Sequence, residues 1–389
     1  MRRGVFILAV LGVLGASLGF SKSALAGSGC NQYPNGHCYG ESWWDSPQNN
    51  GVYGHLIDGC LNGPNDSSDF VDTEIWEATD ASSGAYWVES GLSYGEINGV
   101  ARGGPYLFWA DNRPNGGGYN EHYIAAASLE TTYTDQMEYI GSNEWQVYLG
   151  GYVNTSTSNP PYSHWMASGI EMTESSFNAV GYANTLEWDS TSQGWQSGWN
   201  SSGSWGLMDD SPATAVWTSD YTSLAYYANC GEDAVAASTS TGATPQSAGV
   251  SGSSGPVALT PHSNPTLVRG TASVSAAELP ALGTLAQSMA AAAGGSAIDS
   301  ASAVLTTRQQ ANIVASGALV DSSQPVYLVQ LVGTFTALNA RAPSSESSLP
   351  SGKYLTFVVD ASDGSVLDWG VSNQSGALSA LGPVGQLPV

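Results

Sequence analysis

Clusters of Gly, Asn and Ser interrupt residues 27–232 at intervals of about 8–12 residues, and the runs between them are rich in Trp, Tyr and β-branched side chains. Short aromatic strands punctuated this regularly cannot bury themselves as helices. They predict an all-β antiparallel sandwich of the jelly-roll or concanavalin-like kind. Of the 13 tryptophans only Trp369 lies outside this stretch. Candidate strands are Ala85–Tyr94, Tyr106–Ala110, His122–Leu129, Trp145–Tyr152, Trp165–Thr173 and Thr185–Asp189. In Trp145–Leu149 the alternation is regular enough to predict one dry and one wet face.

The composition changes on either side of that region. Residues 1–26 open with Arg2-Arg3, continue through an apolar stretch and end in Ala24-Leu25-Ala26, which reads as a cleaved signal peptide and predicts a secreted, extracellular protein. Residues 233–256 collapse to Ala, Ser, Thr and Gly, a linker with nothing to bury. Residues 257–389 read as a small α+β module with a disordered tail. Ser275 and Glu278 form a capping box for an Ala-rich helix ending near Gly294-Gly295. A second helix is expected from Thr307 to Ala315, then strands at Val326–Phe335 and Tyr354–Asp360, and an Asp363-Gly364 hairpin into Val366–Val371. In an oxidising compartment Cys30, Cys38, Cys60 and Cys230 imply two disulfides. Of the three connectivities, a local Cys30–Cys38 loop with a Cys60–Cys230 clasp is favoured. Cys-x-x-Cys zinc spacing is absent.

Nine Lys and Arg face 33 Asp and Glu, for a formal net charge of −24, and a cleaved leader would remove three of the positive charges. Between Gly27 and Glu232 the only basic residues are Arg102 and Arg113. Such a surface excludes nucleic acid and anionic membrane as partners, since phosphate binding needs cations. The expected partner is an extracellular protein or polysaccharide, met by a monomer. A chain so poor in cations also avoids the self-repulsion that drives acid unfolding, because near pH 4 about half of its carboxylates are neutral.

A Gly-x-Ser-x-Gly elbow, a phosphate loop and His spacing for metal are all missing, so neither a metal nor a cofactor is expected. Asp209-Asp210 alone is weak evidence for calcium. The densest polar-aromatic region runs from Trp87 to Tyr123, where strand alternation puts Trp87, Glu89 and Gly91 on one face. Arg113 is expected to pair with a nearby carboxylate.

Glu89-Ser-Gly91, Phe108-Trp109-Ala-Asp111, Tyr119-Asn120 and the later Ala167-Ser-Gly-Ile-Glu171-Met together resemble the strands of the glutamic peptidases, both the fungal-type acid peptidases and the neprosin-type enzymes. The fungal-type enzymes carry Gln where this chain has Glu89. The resemblance implies a β-sandwich and a secreted, acid-acting endopeptidase. Glu171 would be its general base and Glu89 its protonated donor, or the two roles the other way round, with Trp109, Asp111, Tyr119 and His122 shaping the substrate cleft. Pro325–Phe335 and Val358–Leu367 resemble PepSY-like modules of secreted bacterial enzymes, which implies an accessory or inhibitory role. Two other readings use the same residues: a lectin-like sandwich that stacks sugars on exposed Trp and Tyr, and a glycoside hydrolase with paired carboxylates.

Overall fold

The structure is a computed structural model that describes Cys30 and residues 36–64, 69–79, 85–199, 204–219, 221–230, 255–260, 265–295, 297–344 and 348–389. The proposed signal peptide and most of the proposed linker lie outside the described residues.

The first part is an antiparallel β-sandwich, as its turn spacing requires. Its strands are β1 (Cys38–Asn62), β2 (Phe70–Ala78), β3 (Trp87–Ile97), β4 (Val100–Arg113), β5 (Gly118–Ala126), β6 (Tyr133–Gly141) and β7 (Glu144–Leu149). They are followed by β8 (Tyr152–Thr157), β9 (Ser163–Met172), β10 (Asn178–Ser190), β11 (Gly194–Ser197), β12 (Ser204–Asp209), β13 (Thr214–Ser219) and β14 (Ser223–Ala228). The long β1 serves both sheets. Its first half lies between β12 and β9, and after a register break between Asp45 and Asn49 its second half lies between β10 and β6. Pro47, which has no N–H to give a ladder, falls in that break. The first sheet runs β12–β1–β9–β2–β3–β4–β5, and the second runs β13–β14–β10–β1–β6–β7–β8. β11 pairs with the far end of β10.

Between the sheets lies a core that includes Trp44, Val71, Ile75, Val88, Leu92, Trp109, Trp145 and Ile170. Trp145, Val147 and Leu149 supply the dry face of β7. Its other face is not fully wet: Gln146 is buried and donates to the Thr260 carbonyl at 2.9 Å, while Gln136 exchanges two hydrogen bonds with Val257. Residues 257–260 thus strap the outside of the second sheet. Disulfides join Cys30 to Cys38 and Cys60 to Cys230.

The second part contains α1 (Leu279–Ala292), β15 (Ile298–Thr307), α2 (Arg308–Ala315), β16 (Leu319–Val320), β17 (Pro325–Thr336), β18 (Ser351–Asp360), β19 (Val366–Ser372) and β20 (Gly385–Gln386). Glu278 reaches back to the Ser275 N–H at 2.9 Å, the reciprocal half of a capping box, and Thr307 caps α2. β15 is hard to see in the sequence because Asp299 dilutes the face of Ala301 and Ala303, and Ser300 and Ser302 dilute the face of Val304. The tail, expected to be disordered, is ordered instead. β20 pairs with β15, and Leu378, Leu381 and Leu387 are buried. Among the described residues no helix is long and apolar enough to cross a membrane.

The two parts share both sheets. β19 pairs with the edge strand β5, extending the first sheet through β18, β17, β15 and β20, and β16 pairs with β8 at the edge of the second. Each join satisfies backbone groups that an open edge would leave unpaired. A buried ion cluster sits at the first join. Asp368 of β19 accepts from Arg308 Nε at 2.9 Å, Asn312 at 2.9 Å and His122 of β5 at 3.3 Å. Burial works against its charge, but Arg308 prevails and holds the carboxyl far below the usual range. Removing it strands a buried guanidinium, so Asp368→Ala should lower unfolding stability by about 3–5 kcal/mol, read from denaturant titration at pH 5.

Candidate functional site

Strand alternation decides which side chains meet. On the outer face of the first sheet, β2 presents Phe70, Asp72, Glu74 and Trp76, while Val71 and Ile75 point into the sandwich. The same alternation places Trp87, Glu89, Gly91 and Ser93 of β3 on the outer face, with Tyr106 and Phe108 of β4 and Tyr119 and Glu121 of β5. Ala167, Gly169 and Glu171 of β9 and Tyr39 and Glu41 of β1 complete it. Glu41, Asp72, Glu74, Glu89, Glu96, Glu121 and Glu171 are each at most 1% exposed.

Glycines make the room. Glu74 stands in register with Gly91 on one side and Gly169 on the other. A Cβ at Gly91 would overlap the Thr73 carbonyl and crowd the Glu74 side chain, and one at Gly169 would crowd Glu41. Carboxyl oxygens of Asp72, Glu74 and Glu171 come within 4.8 Å of one another. Glu171 is held by His37 Nδ1, by Tyr39 Oη at 3.1 Å and by the Ala342 N–H at 3.1 Å. Neither oxygen of Glu74 has a hydrogen-bond partner among the described residues.

This crowding sets the protonation states. Burial, then the neighbouring Glu89 and Asp72, pushes Glu74 well up. Burial, then Glu171 and Asp72, does the same to Glu89. Burial raises Glu41 to about 8 against the opposing bond from Ser344. Burial raises Asp72 as well, but the Arg341 charge beside it pulls the other way. Close carboxyls in a low dielectric cannot all ionise, and Glu41, Glu74 and Glu89, which form no ion pair with that arginine, are the neutral members.

A buried cation enters the face. Arg341, from the irregular segment between β17 and β18, is fully buried and pairs with Asp72 at 2.7 Å and with Glu121. Its Nη2 donates to Ser93 Oγ at 2.8 Å and to Tyr106 Oη at 3.0 Å.

The structure therefore brings Glu89 and Glu171 to one buried face, on strands separated by β2. Tyr119 joins them, donating to Glu121 at 3.0 Å. Trp109, Asp111 and His122 do not line this face. Phe108, Ala110 and Glu121 occupy the outward positions, so their chain neighbours point into the sandwich. There His122 stacks on Trp109, with ring centroids 4.2 Å apart, and Asp111 pairs with Arg113 at 2.6 Å, the partner expected for that arginine. Asp209 and Asp210 accept backbone N–H groups of Ala215 and Tyr39, which gives them a role in the turn. Sequence reasoning misses Asp72, Glu74, His37 and Tyr39. The spacing Asp72-Thr-Glu74-Ile-Trp76, two acids and a Trp at period two, is the signal that could have found the first pair.

No protein-family model matches the chain, and no curated protein matches it. Among solved structures, it is similar to scytalido-glutamic peptidase with a transition state analog inhibitor, at 6% identity and TM-score 0.36, over 49% of this chain and 97% of that one. It is similar to SCP-B, a member of the Eqolisin family of peptidases, in a complex with the tripeptide Ala-Ile-His, at 8% identity and TM-score 0.32, over 49% and 96%. The β-glucanase of Bacillus licheniformis matches at 9% identity and TM-score 0.23, over 46% and 67%. At these levels the functional reading rests on the site's own geometry.

Proposed function

We propose that the sandwich is a secreted, acid-acting peptide hydrolase that activates water with paired carboxyl side chains. The observation that carries this reading is the buried group of Glu171, Glu74 and Glu89, with one member held by donors and two raised by burial. Glu171 takes a proton from water as its oxygen attacks a peptide carbonyl carbon. Neutral Glu74 or Glu89 donates to the carbonyl oxygen as it gains charge, and Tyr39 Oη lies close enough to assist. Collapse breaks the C–N bond, the amine leaves with the proton from Glu171, and the donor recovers its own. Raised carboxyls stay neutral across the acid range, which suits a cation-poor surface.

A sugar-stacking role is less well supported. Among the described residues Trp205 is the only exposed tryptophan, and most of the others lie in the cores or beneath the second part. A hard cation held by Asp72, Glu74 and Glu171 is a separate chemistry that chelation tests.

The experiment is hydrolysis of a denatured protein from pH 2 to 8, by the full chain and by Arg341→Gln, before and after dialysis against EDTA. Cleavage by at least one of them, optimal below about pH 5 and unchanged by EDTA, is expected. Absence of cleavage by both folded proteins at every pH would overturn the proposal, and loss on chelation would replace it with metal-assisted hydrolysis.

A further inference from the structure

The side chains that pair with or stack on the Arg341 guanidinium belong to the sandwich, and Arg341 itself belongs to the second part, whose Trp369 donates to the same Glu121 oxygen at 2.9 Å. The guanidinium carbon lies 4.4 Å from the Phe70 ring centroid and 4.8 Å from that of Phe108. Around its edge Asp72 and Glu121 supply charge, and Ser93, Tyr106 and the Glu96 carbonyl supply acceptors. Rings on the faces and acceptors around the rim match the planar fork of a guanidinium. Stability alone does not demand this arrangement, because a buried ion triad is commonly no better than a hydrophobic replacement. The sandwich cannot fill the cavity from its own residues. Its two arginines are otherwise engaged: Arg102 lies 3.6 Å from the Tyr123 ring centroid and 5.9 Å from that of Tyr106 and donates to the Val366 carbonyl, and Arg113 pairs with Asp111.

The backbone beside Arg341 is held as a bound peptide would be. Its N–H donates to Tyr119 Oη at 3.1 Å, the Ala342 N–H donates to Glu171, and the Ala342 carbonyl accepts from Tyr39 Oη at 2.7 Å. Ser344 then bonds to Glu41. With the Ala342 N–H on Glu171, the proposed base is engaged where it would otherwise take a proton from water.

We infer that the cavity formed by Phe70, Asp72, Ser93, Tyr106, Phe108 and Glu121 is a subsite for the arginine side chain of a peptide ligand, and that residues 339–344 occupy it in competition with that ligand. The inference rests on the peptide-hydrolase reading for the consequence of binding, but binding itself needs no catalysis. The second part is then a tethered competitor whose Arg341 stands in for a substrate arginine. Substrates with arginine one residue before the held carbonyl are favoured.

The test is calorimetric titration of the full chain and of full-chain Arg341→Gln with acetyl-Asn-Ala-Arg-Ala-Pro-Ser-amide and with the same peptide carrying citrulline for arginine. Arg341→Gln should bind the arginine peptide on the order of a hundredfold more tightly than the citrulline peptide, because only arginine pairs with the buried carboxylates. The wild-type chain should bind neither. Equal affinity of Arg341→Gln for the two peptides, or equal affinity of both proteins for the arginine peptide, would overturn the inference. A second measurement covers a variant that folds poorly. Millimolar methylguanidinium should raise the melting temperature of Arg341→Ala or restore its folding, methylurea should not, and the wild type should respond to neither. A variant that responds to both compounds alike, or to neither, contradicts the subsite. If binding discriminates but no peptide is cleaved, the subsite stands and the hydrolase reading fails. If cleavage occurs with no arginine preference, the reverse holds.

Discussion

Raising the pH from 4 to 8 should lower the melting temperature of the full chain by about 10 °C or more. The cause is a set of carboxyls buried as neutral groups. Burial lifts Glu41, Glu77 and Asp135 to about 8 and Asp58 to about 7. Unfolded, each ionises near the ordinary value of about 4. A group raised in the fold holds its proton more tightly there, so rising pH draws protons off the unfolded chain first and favours it. This stabilisation is complete below about pH 4 and is lost as pH rises through 7 to 8. A tenfold difference in proton affinity between folded and unfolded chain is worth about 1.4 kcal/mol. Allowing only that much for each of these carboxyls gives roughly 5 kcal/mol, or about 10 °C for a chain of this size. Asp368 acts in the opposite sense. Held low by Arg308, it keeps its contribution above the ordinary carboxylate range and loses it only in strong acid, so the join between the two parts survives moderate acidity. Calorimetry from pH 3 to 8 reads the trend, and Asp135→Asn should flatten part of it. A melting temperature that is level, or that rises towards pH 8, would contradict the burial of neutral carboxyls.

The second large effect concerns Glu171. Replacing it with Gln keeps its size and its contact with Tyr39 but removes the proton acceptor. Peptide hydrolysis by Glu171→Gln, measured as kcat/KM in the Arg341→Gln background, should fall by about 10²–10⁴-fold with little change in melting temperature. Glu74→Gln and Glu89→Gln distinguish the donor, since an amide can still donate a hydrogen bond but cannot release a proton. The residue that supplies the proton should lose about as much as Glu171, and its neighbour should lose much less. Substitutions within one catalytic group are not additive, so the double variant should be no worse than the poorer single.

Much of the architecture is legible because it depends on period and punctuation. The aromatic runs and turn clusters imply a sandwich, and α2, capped by Thr307 and ending at Ala315, falls where it is expected. The face of Glu89 follows from Trp87 and Gly91 alone. Other features escape for physical reasons. β2 carries acids where a half-buried strand should carry apolar residues, so its pattern reads as exposed although every residue is buried. Trp109 and Asp111 adjoin an aromatic run, which suggests the cleft, yet a one-residue step on a strand reverses the face. Arg341 lies in a loop of small residues, and neither its cavity nor its partners, 220 or more positions away in β2 to β5, leave a local trace. The edge joins β5–β19 and β8–β16 are backbone pairings that side-chain pattern does not encode.

The most direct measurement is the pH dependence of kcat/KM, from pH 2 to 8, for full-chain Arg341→Gln beside Arg341→Gln/Glu171→Gln, Arg341→Gln/Glu89→Gln and Arg341→Gln/Glu74→Gln, on one arginine-containing peptide. Paired-carboxyl catalysis requires activity at acid pH that declines as the raised carboxyls ionise, nearly abolished in Glu171→Gln. It also requires that the declining limb be altered or lost in Glu89→Gln if Glu89 is the donor, with Glu74→Gln showing that change if it is not. Activity that persists in all three carboxyl variants, or that rises towards pH 8, would show that these carboxyls do not carry the reaction.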